Sequence, residues 1–313
     1  MRESEIFSYL FKLNRLHSLL CVKNDTIAGR GLWSMRKFSK GELICGNFQP
    51  LASWASSMGV LKLQVDECGD LVDGDVLEIH NRMMKMDDLL RRGEAPLTTV
   101  KIMTTDLEGH PAIPSSTISE ESSTYIPVIA KLALRVLIEE EVYGYQNSQL
   151  ILKYLIHPTN LPEVNFHMQN ETHDFEETLV EILRQLECKF ENKTKDGSLL
   201  IGGMKVADFV NRMWGVLYLN AMRTEETGLT LWALPSLLNH SCSPNVALQF
   251  QDGLLHMNAA RDIDEDEELS IDYAVGQTQQ HNWTPIQKQE YLYLNYGFDC
   301  KNDNKLCPCS KSP

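Results

Sequence analysis

Residues 237–245 read Leu-Leu-Asn-His-Ser-Cys-Ser-Pro-Asn and carry the strongest functional signal of the chain. Polar, turn-forming residues directly follow an apolar run, and Pro244 and Asn245 end the segment. A segment of this kind presents backbone groups and short side chains to a ligand. Taken alone, it leaves two other interpretations open: a polar turn with a buried Cys242, and a nucleophilic Cys242 served by His240. The nucleophile is disfavoured, because catalytic Cys and His pairs are assembled by the fold and rarely by such close neighbours.

Other segments flank it in a definite order. Residues 28–32 read Ala-Gly-Arg-Gly-Leu, residues 38–44 read Phe-Ser-Lys-Gly-Glu-Leu-Ile, and residues 267–273 read Glu-Glu-Leu-Ser-Ile-Asp-Tyr. Together with a cysteine-bearing C-terminal segment, they resemble the SET-domain protein lysine methyltransferases. The resemblance implies an α+β fold, with a SET core of short twisted sheets, a helical insertion and a Cys-rich post-SET tail. It also implies methylation of lysine side chains of histone or non-histone proteins. A non-catalytic SET-fold scaffold or peptide-binding module is the alternative.

Helical periodicity at 128–142 and 206–222 extends the resemblance to the SMYD-type subfamily. In that subfamily an asparagine at the position of Asn220 contacts the cofactor. Residues 50–225 contain only two cysteines, so the MYND zinc finger of the subfamily cannot be built there. We also expect no helical C-terminal domain after the post-SET tail. The chain is therefore similar to a SMYD-like SET protein of the fungal kind without the MYND finger.

The resemblance implies S-adenosylmethionine as cofactor. Its pocket would be formed by Gly29, Arg30, Gly31, Asn220, Asn239 and His240. The two glycines lack a Cβ atom and so permit close backbone approach to a ligand. An ordinary turn is the alternative interpretation of the glycine pair.

Tyr273 is implied as the catalytic residue, with a hydroxyl that would orient the substrate amine and contact the reacting methyl. The amine must first lose a proton, because the reference pKa of lysine is about 10.4, and no strong base is evident. The family uses a narrow aromatic channel that desolvates the amine, and Tyr296 and Phe298 are implied as its wall. Plain packing of a tail helix is the alternative for these two residues.

A structural zinc ion is implied for the C-terminal segment, which carries Cys300, Cys307 and Cys309. Tetrahedral zinc takes four ligands. In related SET proteins the cysteine at the position of Cys242 completes the site. The spacing Cys-x6-Cys-x-Cys departs from the Cys-x-Cys-x2-Cys of the subfamily, and free thiols on the tail are the alternative.

Local patterns divide the chain into four segments. These are the N-terminal part of the SET domain at 1–55, a largely helical insertion at 56–225, the C-terminal part of the SET domain at 226–275 and the post-SET segment at 276–313. Periodicity and capping signals predict five helices, at 75–92, 128–142, 175–190, 206–222 and 285–294. The helices at 128–142, 175–190 and 206–222 are expected to pack on one another.

Turn and strand signals complete the prediction. The polar residues 114–124 are expected to form an exposed loop, and strands are expected at 229–234 and 268–273. Residues 262–268 form an acidic run that is most simply a solvated loop, although such a run also suits a basic peptide. Asp266 takes the place of a glycine in the family's turn, and Asp tolerates the left-handed backbone conformation better than most residues.

The composition restricts the classes of partner. The chain has 43 acidic and 29 basic side chains and a formal net charge of −14, which argues against a phosphate-binding face. We expect a protein substrate with a basic, lysine-bearing segment, and no direct nucleic-acid or membrane partner. The N-terminus lacks the layout of a secretory signal, so a cytoplasmic or nuclear location, or both, is expected. The eight cysteines are too sparse for a disulfide scaffold.

Overall fold

The computed structural model of the protein describes residues 19–25, 29–48, 51–54, 74–91, 102–105, 115–143, 155, 165–168, 172–186, 188, 199–224, 228–251, 254–275, 283–296 and 300. The chain divides into two compact units. The core unit comprises Met1–Pro50, Leu161–Val164 and Trp232–Pro313, and the inserted unit comprises Leu51–Asn160 and Asn165–Leu231. The assignment of four segments from the sequence stays a prediction.

Short strands and a few helices make up both units, as the α+β prediction requires. The strands are β1 (Leu20–Asp25), β2 (Gly29–Ser34), β3 (Leu43–Phe48), β4 (Ala52–Trp54), β5 (Ile102–Thr105), β6 (Asn165–Met168), β7 (Leu200–Ile201), β8 (Met204–Lys205), β9 (Met222–Thr224), β10 (Gly228–Leu231), β11 (Asn239–His240), β12 (Val246–Gln251), β13 (Leu254–Ala259) and β14 (Glu268–Ile271). The helices are α1 (Gly74–Arg91), α2 (Ser115–Tyr143), α3 (Thr172–Gln185), α4 (Val206–Asn220) and α5 (Pro285–Tyr296).

The described strands of the core unit form two sheets, in the orders β1-β2-β14-β11 and β12-β13-β3. β14 is antiparallel to β2, with Glu268 opposite Trp33. On its other side β14 pairs in parallel with β11, with Asn239 opposite Ser270. This arrangement brings residues 237–245 (the central segment) beside β14 and close to residues 29–31 of β2 (the glycine motif), although the three are far apart in the chain.

The second sheet shows why its sequence forms strands. In β13, Leu255 and Met257 are fully buried, whereas the alternate residues His256 and Asn258 are half-buried. A period of two is the pattern of a strand with one face on the core. The described part of the inserted unit includes a sheet in the order β4-β10-β9.

Helix α2 is the centre of the inserted unit. Every side chain from 125 to 134 is buried, so this part of the helix is enclosed by packing. The buried amine of Lys131 donates a hydrogen bond to the Ser53 carbonyl at 2.6 Å. Helix α4 packs against α2 and α3, and the rings of Tyr125 and Trp214 lie 4.8 Å apart. The five predicted helices are thus present, but α2 begins thirteen residues earlier than predicted and α3 ends five residues earlier. The packing of α4 on α2 and α3 is confirmed.

The expected loop at 114–124 is wrong for residues 115–124, because α2 begins at Ser115. Serine and threonine side chains compete with the helical backbone for hydrogen bonds, which is why the polar stretch suggested a loop. The buried half of α2 supplies the helical nucleus, and extending an existing helix adds a hydrogen bond for each residue fixed.

Two predicted strands end earlier than expected. β10 ends at Leu231 and a single 3-10 turn follows at Pro235–Leu237, where Pro235 has no N–H to donate to a sheet. β14 ends at Ile271, and the Asp272 carboxylate accepts a hydrogen bond from the Ala274 N–H at 3.0 Å. Tyr273 therefore lies in a turn after the strand.

The left-handed turn expected at Asp266 is confirmed, because its φ is 67°. Among the helices that the structure describes, none combines the length and the apolar character needed to cross a membrane.

Candidate active site

The side chain of Asn239 links the three motifs of the core unit. Its Nδ2 donates to the Arg30 carbonyl at 3.1 Å and to Glu268 Oε1 at 2.7 Å. Both partners are acceptors, so the amide nitrogen must face them and Oδ1 must lie on the other side of the amide. Asn239 therefore offers an acceptor atom whose orientation is set by the glycine motif and by β14.

Gly31 is the residue that permits this arrangement. A Cβ atom at this position would lie 2.4 Å from Glu268 Oε1 and 3.0 Å from Asn239 Nδ2. The first distance is shorter than any real contact, so even alanine would displace the carboxylate. The space left by the missing Cβ holds the Glu268 and Asn239 side chains, and Gly31 keeps the backbone of β2 close to them.

His240, the residue after Asn239, is hydrogen-bonded to the turn that follows β14. Its buried Nδ1 accepts a hydrogen bond from the Tyr273 N–H at 3.2 Å, and its Nε2 lies 3.2 Å from Cys242 Sγ. Burial lowers the pKa of His240 to about 4, against a raising effect of Asp272. The ring is therefore neutral near pH 7, and because Nδ1 is an acceptor, the proton sits on Nε2 and points at the sulfur.

Tyr273 is fixed by hydrogen bonds at its hydroxyl and at its backbone N–H. Its hydroxyl donates to the Leu238 carbonyl at 2.6 Å, while its backbone N–H is bound by His240. Burial, and after it the negative charge of Glu268, raises the pKa of Tyr273. The phenol therefore stays protonated near neutral pH, and its oxygen can still accept hydrogen bonds.

An aromatic wall stands beside Tyr273. The ring of Tyr296 lies 4.8 Å from that of Tyr273, and Tyr291 lies 6.2 Å from Tyr296 in an edge-on arrangement. Trp283 packs against Tyr291 in a tilted arrangement, with 5.0 Å between the ring centroids. The sequence indicated Tyr296, whereas Tyr291 and Trp283 were missed. The aromatic spacing along α5 was a signal for Tyr291, and Trp283 lies just before the helix. Phe298 lies outside the described residues.

The thiols of Cys242 and Cys300 lie close together, with 3.9 Å between the sulfur atoms. A disulfide requires about 2.05 Å, so these are two separate thiols. Zinc bound tetrahedrally at about 2.3 Å from each sulfur separates two ligands by about 3.8 Å, so the observed spacing fits zinc. Cys307 and Cys309 lie outside the described residues, and the four-cysteine zinc site stays a prediction.

His240 joins the same cluster, since its ligand atom and those of Cys242 and Cys300 lie within 4.8 Å of one another. The tautomer deduced above makes His240 a hydrogen-bond donor to Cys242, because a protonated Nε2 has no lone pair for a metal. His240 thus connects the sulfur of the proposed zinc site to the backbone of Tyr273.

Asn245 is the last residue of the central segment, and both its amide nitrogen and its amide oxygen form hydrogen bonds. Nδ2 donates to the Glu268 carbonyl at 2.8 Å and to Glu267 Oε1 at 3.1 Å. Oδ1 accepts from the Ser270 N–H at 2.8 Å and from its hydroxyl at 3.3 Å. With 1% of its surface exposed, Asn245 is a buried structural clamp between the central segment and β14.

Gly29 and Asn220, two of the predicted cofactor residues, are described by their local contacts, and their roles stay predictions. Gly29 begins β2, where it pairs with Asp25. Asn220 is the last residue of α4 in the inserted unit, where its Nδ2 donates to the Val216 carbonyl at 2.8 Å. Its role beside Asn239 stays a prediction. Glu268, in contrast, was missed as a site residue because only the folded chain places it over Gly31.

The acidic run at 262–268 is largely engaged within the chain. Lys23 pairs with Asp266, Lys37 Nζ lies 3.1 Å from Asp264, and Arg261 lies 2.6 Å from Glu267. These pairs favour the solvated-loop interpretation of the run.

The fold and these motifs define the class of protein. The chain belongs to the SET domain family, whose model matches residues 29–274. The SET-domain resemblance seen in the sequence is thereby confirmed.

The relatives of the chain include SMYD-like and other SET proteins. The chain is 37% identical over 76 residues to the histone-lysine N-methyltransferase SMYD3 of Homo sapiens, covering 24% of this chain and 17% of that protein. It is 32% identical over 95 residues to the histone-lysine N-methyltransferase set5 of Schizosaccharomyces pombe, covering 30% and 28%. A SET and MYND domain-containing protein of Dictyostelium discoideum is 28% identical over 108 residues, covering 30% of each chain. The matched segments thus span less than a third of these relatives.

Among solved structures, the one described as Rubisco LSMT bound to AdoMet overlaps 97% of this chain and 58% of that chain, with a TM-score of 0.42 and 15% identity.

Proposed function

We propose that this protein is an S-adenosylmethionine-dependent protein-lysine N-methyltransferase. The observation that carries the proposal is a continuous set of contacts in the core unit. Asn239 donates a hydrogen bond to the Arg30 carbonyl, and the next residue, His240, accepts one from the backbone N–H of Tyr273. A cofactor-binding motif, an oriented acceptor and a protonated phenol are thereby held in one place. Membership of the SET domain family supports the same reaction class.

The residues present fit the cofactor. Bound S-adenosylmethionine would supply an electrophilic methyl group on a sulfonium, together with an ammonium, a carboxylate and an adenine. Asn239 Oδ1 is an acceptor suited to the ammonium, and the missing Cβ at Gly31 lets Glu268 hold Asn239 in this orientation. We propose that Gly29, Arg30 and His240 line the same pocket of the core unit.

Tyr273 would orient the lysine amine and does not act as a base. Its proton is held by the Leu238 carbonyl and its pKa is raised, chiefly by burial, so its oxygen serves as an acceptor for an amine N–H. His240 is neutral with its Nε2–H directed at Cys242, so it offers no base either. The substrate amine must then release its proton to water as it passes the aromatic wall, because desolvation there disfavours the charged form. The rate would come from alignment and exclusion of water.

The proposed substrate is a basic, lysine-bearing segment of a histone or non-histone protein, which suits the net charge of −14. Cys242, Cys300, Cys307 and Cys309 are proposed to hold one structural zinc ion that fastens the tail beside Tyr273. A cytoplasmic or nuclear location is proposed with this activity.

The test is methyl transfer from labelled S-adenosylmethionine to a peptide array that contains histone and non-histone lysines. The wild type should label a subset of peptides, and Tyr273→Phe should lower turnover by about 10² to 10³ with nearly unchanged cofactor binding. Tyr293→Phe, which alters an exposed tyrosine of α5, is the matched control and should behave as wild type. Equal rates for wild type and Tyr273→Phe would remove Tyr273 from the reaction. A wild type that labels no peptide would favour the non-catalytic scaffold.

A further inference from the structure

We propose that Glu268 is a specificity-determining residue of the cofactor pocket, and that its carboxylate makes the pocket prefer the cationic sulfonium cofactor over the neutral thioether product. The proposal rests on the proposed function of the site. It is carried by the placement of Glu268 against Asn239 and Gly31.

The position of Glu268 is built into the fold. It begins β14 and lies opposite Trp33, so its side chain reaches over the neighbouring strand β2 at Gly31. The carboxylate occupies the space that any Cβ at Gly31 would fill, since the distance would be only 2.4 Å. Gly31 thus makes room for an anionic side chain.

The contact with Asn239 sets the polarity of the pocket. Nδ2 of Asn239 has two hydrogens, which are directed at Glu268 Oε1 and at the Arg30 carbonyl. The amide oxygen is thereby the atom left to meet a ligand, and an oxygen acceptor selects a donor such as an ammonium group. Glu268 therefore acts on ligand recognition through Asn239 as well as through its own charge.

The charge of Glu268 reaches the reaction centre. After burial, it is the cause that raises the pKa of Tyr273, the residue proposed to face the reacting methyl. The Glu268 carboxylate is held beside Asn239, whose Nδ2 lies 2.7 Å from Glu268 Oε1. Glu268 therefore acts both on Asn239, by a hydrogen bond, and on Tyr273, by its charge.

This charge distinguishes the two forms of the cofactor. S-adenosylmethionine carries a sulfonium cation, and S-adenosylhomocysteine, the product after methyl transfer, carries an uncharged sulfur and is otherwise nearly identical. A half-buried carboxylate attracts the cation without a matching gain for the product. Release of the spent cofactor would thereby be favoured once the methyl group has been transferred.

The experiment compares the affinities of S-adenosylmethionine and S-adenosylhomocysteine by titration calorimetry for the wild type, Glu268→Gln and Glu268→Asp. Glutamine keeps the size and an acceptor for Asn239 but removes the charge, so the affinity ratio should fall about tenfold, chiefly through S-adenosylmethionine. Aspartate keeps the charge but shortens the reach to Asn239, so both affinities should fall together and the ratio should stay near that of the wild type. Glu265→Gln removes an exposed charge from the acidic run and should change neither affinity.

An unchanged ratio in Glu268→Gln would overturn the role of Glu268 while leaving the proposed function standing. A wild type that binds neither compound would overturn both. Thermal unfolding of each variant ensures that the comparison is made between folded proteins, and Glu268→Asp supplies an independent test, because a collapsed ratio in that variant would also contradict the proposal.

Discussion

Replacing Asn245 by alanine should strongly destabilise the core unit without touching any ligand. The amide makes hydrogen bonds to Glu267, Glu268 and Ser270, and the residue is 1% exposed. In the alanine variant the Glu268 carbonyl and the Ser270 N–H would each lose this partner. A buried polar group left unsatisfied costs about 1 to 3 kcal/mol, so we expect a loss of about 4 kcal/mol in the free energy of unfolding.

The free energy of unfolding would be measured by urea denaturation, followed through the fluorescence of Trp33 and Trp232 in the core unit. The matched control is Asn258→Ala, because Asn258 makes only an exposed hydrogen bond to Gln249 in the hairpin. Its effect should stay within about 0.5 kcal/mol. A loss of less than about 1 kcal/mol in Asn245→Ala would refute the clamp.

An isosteric variant adds a pH signature. In Asn245→Asp the side chain still accepts from Ser270 but no longer donates to Glu268, and it places a second carboxylate beside Glu267, which lies 3.1 Å from the present amide nitrogen. Burial and the like charge should raise the pKa of the new acid in the folded state. Because a raised pKa favours the protonated form of the fold, the variant should recover stability relative to wild type as the pH falls toward about 4. A deficit independent of pH would contradict this reasoning.

Two further changes test how the tail is held. Lys288→Met should lower the free energy of unfolding by about 1 to 3 kcal/mol and speed hydrogen exchange in α5, because Lys288 and Asp272 form a 2.6 Å ion pair with side chains only 12% and 15% exposed. The control Lys37→Met removes an exposed ion pair and should cost under about 0.5 kcal/mol. Equal losses in the two variants would show that burial of the pair is irrelevant. Elemental analysis should find one zinc ion per chain in the wild type and none in Cys242→Ser, and protease should cleave the tail of this variant faster. A metal-free wild type would leave only the free-thiol interpretation of Cys242 and Cys300.

Features that depend on neighbouring residues were predictable from the sequence. Helical periodicity identified α2, α3 and α4, because apolar spacing of three and four is set by the geometry of the helix. The left-handed turn at Asp266 was predictable, because the resemblance places this residue at a glycine position and Asp tolerates the left-handed conformation. The polar stretch that begins α2 was mistaken for a loop, since the nucleus that makes it helical lies in the buried residues that follow.

The sequence by itself determined the family, the order of its motifs and the residue types of the site, including Asn239, His240 and Tyr273. Only the tertiary structure decided how these side chains are used. Asn239 and the Arg30 carbonyl are 209 residues apart in the chain, and their contact exists because β11 pairs in parallel with β14 and β14 pairs with β2. The tautomer of His240 and the placement of Glu268 over Gly31 follow from that pairing. Hydrogen bonds act over about 3 Å, so their partners are set by spatial neighbours, which the order of residues along a chain does not specify.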